Sequence, residues 1–104
     1  MPELNETTLV VEIEAELEPV VPGYLELRRK DVELLQQLLE AGNFAELRIM
    51  GHRMKGTGGS YGFDPISDIG ELLENAALAE DRSAIGQAGD ELDAYLKRVT
   101  VVYV

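Results

Sequence analysis

The chain of 104 residues contains no cysteine and only one histidine. The first absence excludes a disulfide scaffold, a thiolate metal site and a thiol nucleophile. The second excludes a His-x3-His zinc pair and a two-histidine hydrolytic dyad. Basic residues are scarce as well: 9 Lys and Arg stand against 20 Asp and Glu, a formal charge of −11. Nucleic acids and anionic membrane surfaces both need a basic footprint, so this composition disfavours both as partners. The acidity fits a protein partner with a basic rim, or solubility alone. No apolar run approaches the ~18 residues of a membrane span. The opening Met1-Pro2-Glu3 has no basic n-region, so no secretory signal is expected. A reducing cytoplasm is the expected location.

What is present describes a globular protein, 45% hydrophobic and 28% charged. The length suits one domain with one modest core, here taken as residues 1–104. Thr7 to Glu14 (TTLVVEIE) and Val99 to Val104 (VTVVYV) are rich in β-branched residues and read as short extended segments. They are either two ordered tails or a small paired ribbon, and the ribbon's edge could support a dimer. A monomer is expected.

Between them, over about residues 16–98, the periodicity is helical. Pro19 and Pro22 bracket a first helix whose stripe is Val21, Leu25, Val32, Leu35 and Leu39, widened by Tyr24, Leu34 and Leu38. Gly42 suits a left-handed cap at its end, and Asn43 an N-cap for a second helix. That helix carries Phe44, Leu47, Met50, Met54 and Tyr61, with Gly62 and Phe63 ending it. Asp64 and Pro65 read as the N-cap and first residue of a third, with Ile66, Ile69, Leu73 and Ala76 facing inward. Asp81 caps a fourth, with Ile85, Ala88, Leu92, Tyr95 and Val99 inward. Short connections imply antiparallel neighbours, so the fold expected is an all-α, up-and-down four-helix bundle.

The chemistry concentrates in Gly51-His52-Arg53-Met54-Lys55-Gly56-Thr57-Gly58-Gly59-Ser60-Tyr61-Gly62, which holds the histidine and five glycines. At 100° per residue His52 lies about 140° from Leu47 and about 160° from Met54, so it points away from the core. Arg48, Lys55, Gly56 and Gly59 share its face, while Arg53 is turned aside. An imidazole, two cations and then bare backbone make a flat patch. Four interior glycines (Gly51, Gly56, Gly58, Gly59) would together cost roughly 3–4 kcal/mol in a helix. That is a large share of a small domain's ~5–15 kcal/mol. Either the stretch is a loop, or the glycines serve close approach: Gly51 and Gly58 toward a neighbouring helix, Gly56 and Gly59 toward another molecule. The Walker pattern fails, because Thr57 and Gly58 follow Gly56 where Lys and Ser/Thr are required. No nucleophile elbow supports a serine triad with Ser60, Ser67 or Ser83. An exposed neutral imidazole is itself a nucleophile near pH 7, and flanking cations stabilise an incoming phosphoryl group.

The segment from His52 to Phe63 resembles the phosphorylation-site helix of histidine-containing phosphotransfer (HPt) domains, whose pattern is roughly His-x-x-Lys-Gly, small residues, then Gly and an apolar residue. Ile69-Gly70-Glu71-Leu72-Leu73-Glu74 resembles the helix that packs beside it. The resemblance implies a phosphorelay carrier. His52 would accept phosphate from an aspartyl-phosphate receiver or a hybrid histidine kinase and pass it to another response-regulator receiver. Lys55 would stabilise the phosphoryl group, with Arg48 in support. Where family members often carry a glutamine that bonds the histidine, Glu74 stands here; it is expected to accept from Nδ1–H and leave Nε2 free. Ile49, Gly56, Gly59 and Phe63 would form the docking surface. No cofactor is implied in this chain; Mg²⁺ belongs to the partner receiver. No ATP-binding signature accompanies the motif, so autophosphorylation from ATP is not expected. Two other readings are a docking-only module of the same fold and a small hydrolase with His52 as base. Arg28-Arg29-Lys30 is either a solvated helix turn, with local pairing to Asp31 and Glu33 expected, or a partner-docking or intramolecular charge patch.

Overall fold

The computed structural model describes residues 8–104. Thr7, where the first extended segment was expected to begin, lies outside them. Four helices form an up-and-down antiparallel bundle: α1 (Val21–Glu40), α2 (Phe44–Thr57), α3 (Asp64–Leu78) and α4 (Arg82–Arg98). Their ends follow from local chemistry. Pro22 sits in the first turn of α1, where its missing N–H costs nothing. At the other end Gly42 takes φ 68°, and Asn43 N–H reaches Leu38 O at 2.9 Å, a Schellman closure. Asn43 then caps α2 by accepting from Glu46 N–H at 3.2 Å, and Asp81 caps α4 by accepting from Ala84 N–H at 3.1 Å. The α3–α4 turn repeats the Schellman closure, with Asp81 N–H on Ala76 O at 2.9 Å. Here Glu80, not glycine, occupies the left-handed position at φ 52°.

The terminal segments pair. β1 (Leu9–Ile13) and β2 (Val99–Tyr103) form a parallel two-stranded ribbon with Leu9 opposite Val99 and Ile13 opposite Tyr103. Parallel strands need a long crossover, and the whole bundle supplies it. Ile13, buried, anchors the ribbon against Gly62, where any Cβ would strike it.

The core is built from the expected stripes, with four corrections. Leu34 is 44% exposed and does not belong to the α1 stripe. Val99 begins β2, and Leu96 takes the buried place at the end of α4. Asp64 is already inside the first turn of α3; Phe63 holds the cap position and contributes no side-chain cap bond. The α-helical part of α2 ends at Thr57, and Tyr61 lies in a separate 3-10 turn, Gly59–Tyr61.

Helices α2 and α3 touch backbone to backbone. A Cβ on Gly51 would lie 2.5 Å from Glu74 N and 2.7 Å from Gly70 O. One on Gly70 would strike Lys55 N, and one on Gly58 would lie 2.5 Å from Ser67 N. Gly51 and Gly58 are therefore the glycines of close helix approach. Their propensity cost is offset by packing that no larger residue permits.

Candidate functional site

The tight α2–α3 contact sets the site's geometry. It brings Glu74, on α3, beside the outward face of α2. Glu74 Oε2 lies 3.1 Å from His52 Nδ1, and Lys55 Nζ donates to Glu74 Oε1 over a longer 3.4 Å. The His52 side chain is 73% exposed, while that of Glu74 is only 16% exposed. Partial burial acts to raise the Glu74 pKa. The hydrogen bond with His52 and the charge and hydrogen bond of Lys55 outweigh it, leaving the carboxyl below its ordinary value. An ionised carboxylate can only accept. Nδ1 is therefore the ring nitrogen that donates here, and in the neutral imidazole the lone pair lies on Nε2, on an open side chain.

The remaining site residues divide. Gly56 is exposed and a Cβ there would meet nothing within 4 Å, so bare backbone lies one turn beyond the imidazole. Arg48 is exposed on the same helix and makes no ion pair with a described residue. Ile49 is 37% exposed. Gly59 is less open than its spacing implied. It has left the α-helix, its N–H donates to Ser67 Oγ at 2.8 Å, and a Cβ there would meet Asp64 Oδ1 at 3.3 Å. Phe63 is not a docking residue. It is fully buried and stacks at 6.2 Å on Tyr24, which in turn stacks on Tyr61 at 4.2 Å. The helix-end position that seemed exposed in sequence is turned inward by the left-handed Gly62, φ 95°.

Two features escaped the sequence reading, a groove and a serine. Leu34 and Leu38 line a groove with Ile49 and Met50 between α1 and α2, flanked by Arg28, Asp31, Glu46 and Arg53. A stripe wider than the interface leaves its margin exposed, and only the helix crossing shows which margin. The basic run pairs locally, as expected for Asp31: Arg28 pairs with Asp31 at 2.8 Å and lies over the Tyr24 ring at 4.7 Å, while Arg29 pairs with Glu26 at 3.2 Å. Burial raises the Asp31 pKa, against the lowering effect of Arg28 and Arg53. Ser67 bonds to two backbone groups at the end of α2. No spacing signal marks it.

Among the described residues no cluster of three or more His, Cys, Asp or Glu could hold a metal, and no helix is long and apolar enough to cross a membrane. The geometry defines a class: a helical bundle that presents one oriented imidazole beside a lysine and an open glycine. The Hpt domain family model matches residues 23–100, and the chain belongs to that family. Hpt domains act in the phosphorelays of two-component signalling and interact with response-regulator receivers. No match was found among curated proteins or among solved structures.

Proposed function

We propose that this protein is a phosphorelay carrier in which His52 is reversibly phosphorylated at Nε2. The observation that supports this most directly is the 3.1 Å contact between His52 Nδ1 and the Glu74 carboxylate on an otherwise open imidazole. Family membership supplies the donor chemistry. The Nε2 lone pair attacks the phosphorus of a receiver's aspartyl phosphate; the Nε2–P bond forms, the acyl P–O bond breaks, and the receiver carboxylate leaves. The Nδ1 proton stays in place, hydrogen-bonded to Glu74. Transfer to the next receiver is the reverse reaction. Lys55, now on Glu74, is near enough to turn to the phosphoryl oxygens as charge arrives. Mg²⁺ is supplied by the receiver.

Docking uses the open backbone at Gly56 together with the groove of Leu34, Leu38 and Ile49. This is an apolar floor with a charged rim, as transient interfaces require. A hybrid histidine kinase and response regulators are the partners, the carrier works as a monomer, and the cytoplasm is the compartment.

The test is phosphoryl transfer from a panel of phosphorylated receivers to wild type and His52→Gln. Acid-labile, alkali-stable label on wild type alone is expected. A folded wild type that binds receivers but takes no label from any donor would replace the carrier with a docking-only module.

A further inference from the structure

In a continuous α-helix the Lys55 carbonyl would accept from Gly59 N–H, four residues on. That bond is not made. The last such bond of α2 is Gly58 N–H to Met54 O at 2.9 Å. In its place stands a hydroxyl from another helix. Ser67 Oγ accepts from Gly59 N–H at 2.8 Å and donates to Lys55 O at 2.9 Å. The side chain is thus inserted into the ladder of α2, satisfying both orphaned groups while holding them apart.

The insertion has a geometric consequence. It lets the chain leave α geometry one turn after Lys55 and enter the Gly59–Tyr61 3-10 turn with Lys55 O and Gly59 N–H both paired. Tyr61, delivered by that turn, stacks on Tyr24, and Tyr24 O–H bonds Thr57 Oγ1 at 3.0 Å. The backbone of Lys55 and the turn beyond Gly56 are therefore held from α3 at Ser67, while the imidazole is held from α3 at Glu74. These are two attachments on one face of one helix, seven residues apart.

We propose that Ser67 is a positioning residue for phosphoryl transfer, acting through the backbone of Lys55 and the adjoining Gly56 turn. The proposal rests on the carrier reading above. Without the hydroxyl, Ser67→Ala leaves two outcomes for the freed groups. Either both stay unpaired and the turn frays, or Gly59 N–H closes onto Lys55 O and draws the 3-10 turn inward. In both cases Lys55 and the Gly56 surface lose their fixed relation to His52, while the His52–Glu74 hydrogen bond is untouched.

The experiment measures transfer from a phosphorylated receiver over a range of receiver concentrations, well below the unfolding temperature, for wild type, Ser67→Ala and Ser67→Thr. Ser67→Ala should lower the saturating rate about five- to tenfold, the equivalent of one hydrogen bond's worth of positioning. The His52 Nδ1–H signal followed by NMR should not move, while the Gly59 amide should change in exchange rate or chemical shift. Ser67→Thr, which keeps the hydroxyl, should recover most of the rate. A saturating rate equal to wild type in Ser67→Ala would reduce Ser67 to a stability element and overturn the proposal. Failure of the wild type to accept phosphate at all would instead overturn the carrier reading, so the two failures are distinguishable.

Discussion

Replacing Gly51 by alanine tests the contact on which the site depends. The added Cβ would lie 2.9 Å from Glu74 Cα and 2.5 Å from Glu74 N, the latter nearly 1 Å short of the 3.4 Å at which ordinary contact begins. Every obstructing atom is backbone, so no side chain can swing aside and the two helices must part. Overpacking of this kind costs about 1–3 kcal/mol, and rigid neighbours place this case toward the upper end. The gain in helix propensity offsets about 0.5–1 kcal/mol. A net loss of about 2 kcal/mol is expected. Gly56→Ala is the internal control. Its Cβ meets nothing within 4 Å, so only the propensity gain remains, about 0.5–1 kcal/mol of stabilisation. Urea melts followed by helical circular dichroism should therefore separate the two alanine variants by roughly 2.5–3 kcal/mol. Because the displaced backbone carries Glu74, Gly51→Ala should also weaken the His52 Nδ1 hydrogen bond seen by NMR. Equal stability of the two variants would refute the backbone-on-backbone contact, and with it the reason Glu74 reaches His52.

Glu74→Ala removes the group that fixes the proton on Nδ1 and holds Lys55; transfer should slow roughly three- to tenfold and the His52 Nδ1–H NMR signal should weaken, and unchanged values in both would remove Glu74 from the mechanism. The same pair reports on pH. Glu74's pKa is depressed in the folded state, so its interactions add stability above the unfolded-state carboxylate range and lose it as pH falls through the folded value. The stability difference between wild type and Glu74→Gln should thus shrink on acidification; growth would contradict the sign. Gly56→Trp should block transfer from any receiver while leaving the thermal melt intact, since the side chain projects into open space. Glu80→Gly should stabilise by about 1 kcal/mol in urea melts, because φ 52° strains any residue with a Cβ.

Much of the bundle was legible because its signals are local. Asn43 and Asp81 are good capping residues in any context, and Gly42 was the natural left-handed stop. The inward stripe of α3 was legible for a related reason: Ile66, Ile69, Leu73 and Ala76 recur with the helical period and are all buried. Where a residue's fate depends on a neighbouring helix, periodicity misled. Leu34 extends the α1 stripe in sequence, yet it is 44% exposed because no helix crosses over it. Phe63 follows the histidine helix as a docking residue would, yet the left-handed Gly62 turns it into the core. Gly59 kept the histidine's face only while α2 was assumed to continue; the Ser67 hydroxyl ends it first.

The sequence by itself determined the single imidazole, the cations near it, the glycines that follow, and a helical period that points His52 outward. Those depend only on residue identity and on 100° per residue. Tertiary structure decided how that imidazole is held. The proton on Nδ1, the sharing of one carboxylate between His52 and Lys55, and the hydroxyl spliced into α2 all require α3 at close range. That range exists because glycines 51, 58 and 70 let two backbones touch, a relation between distant residues that no local pattern encodes.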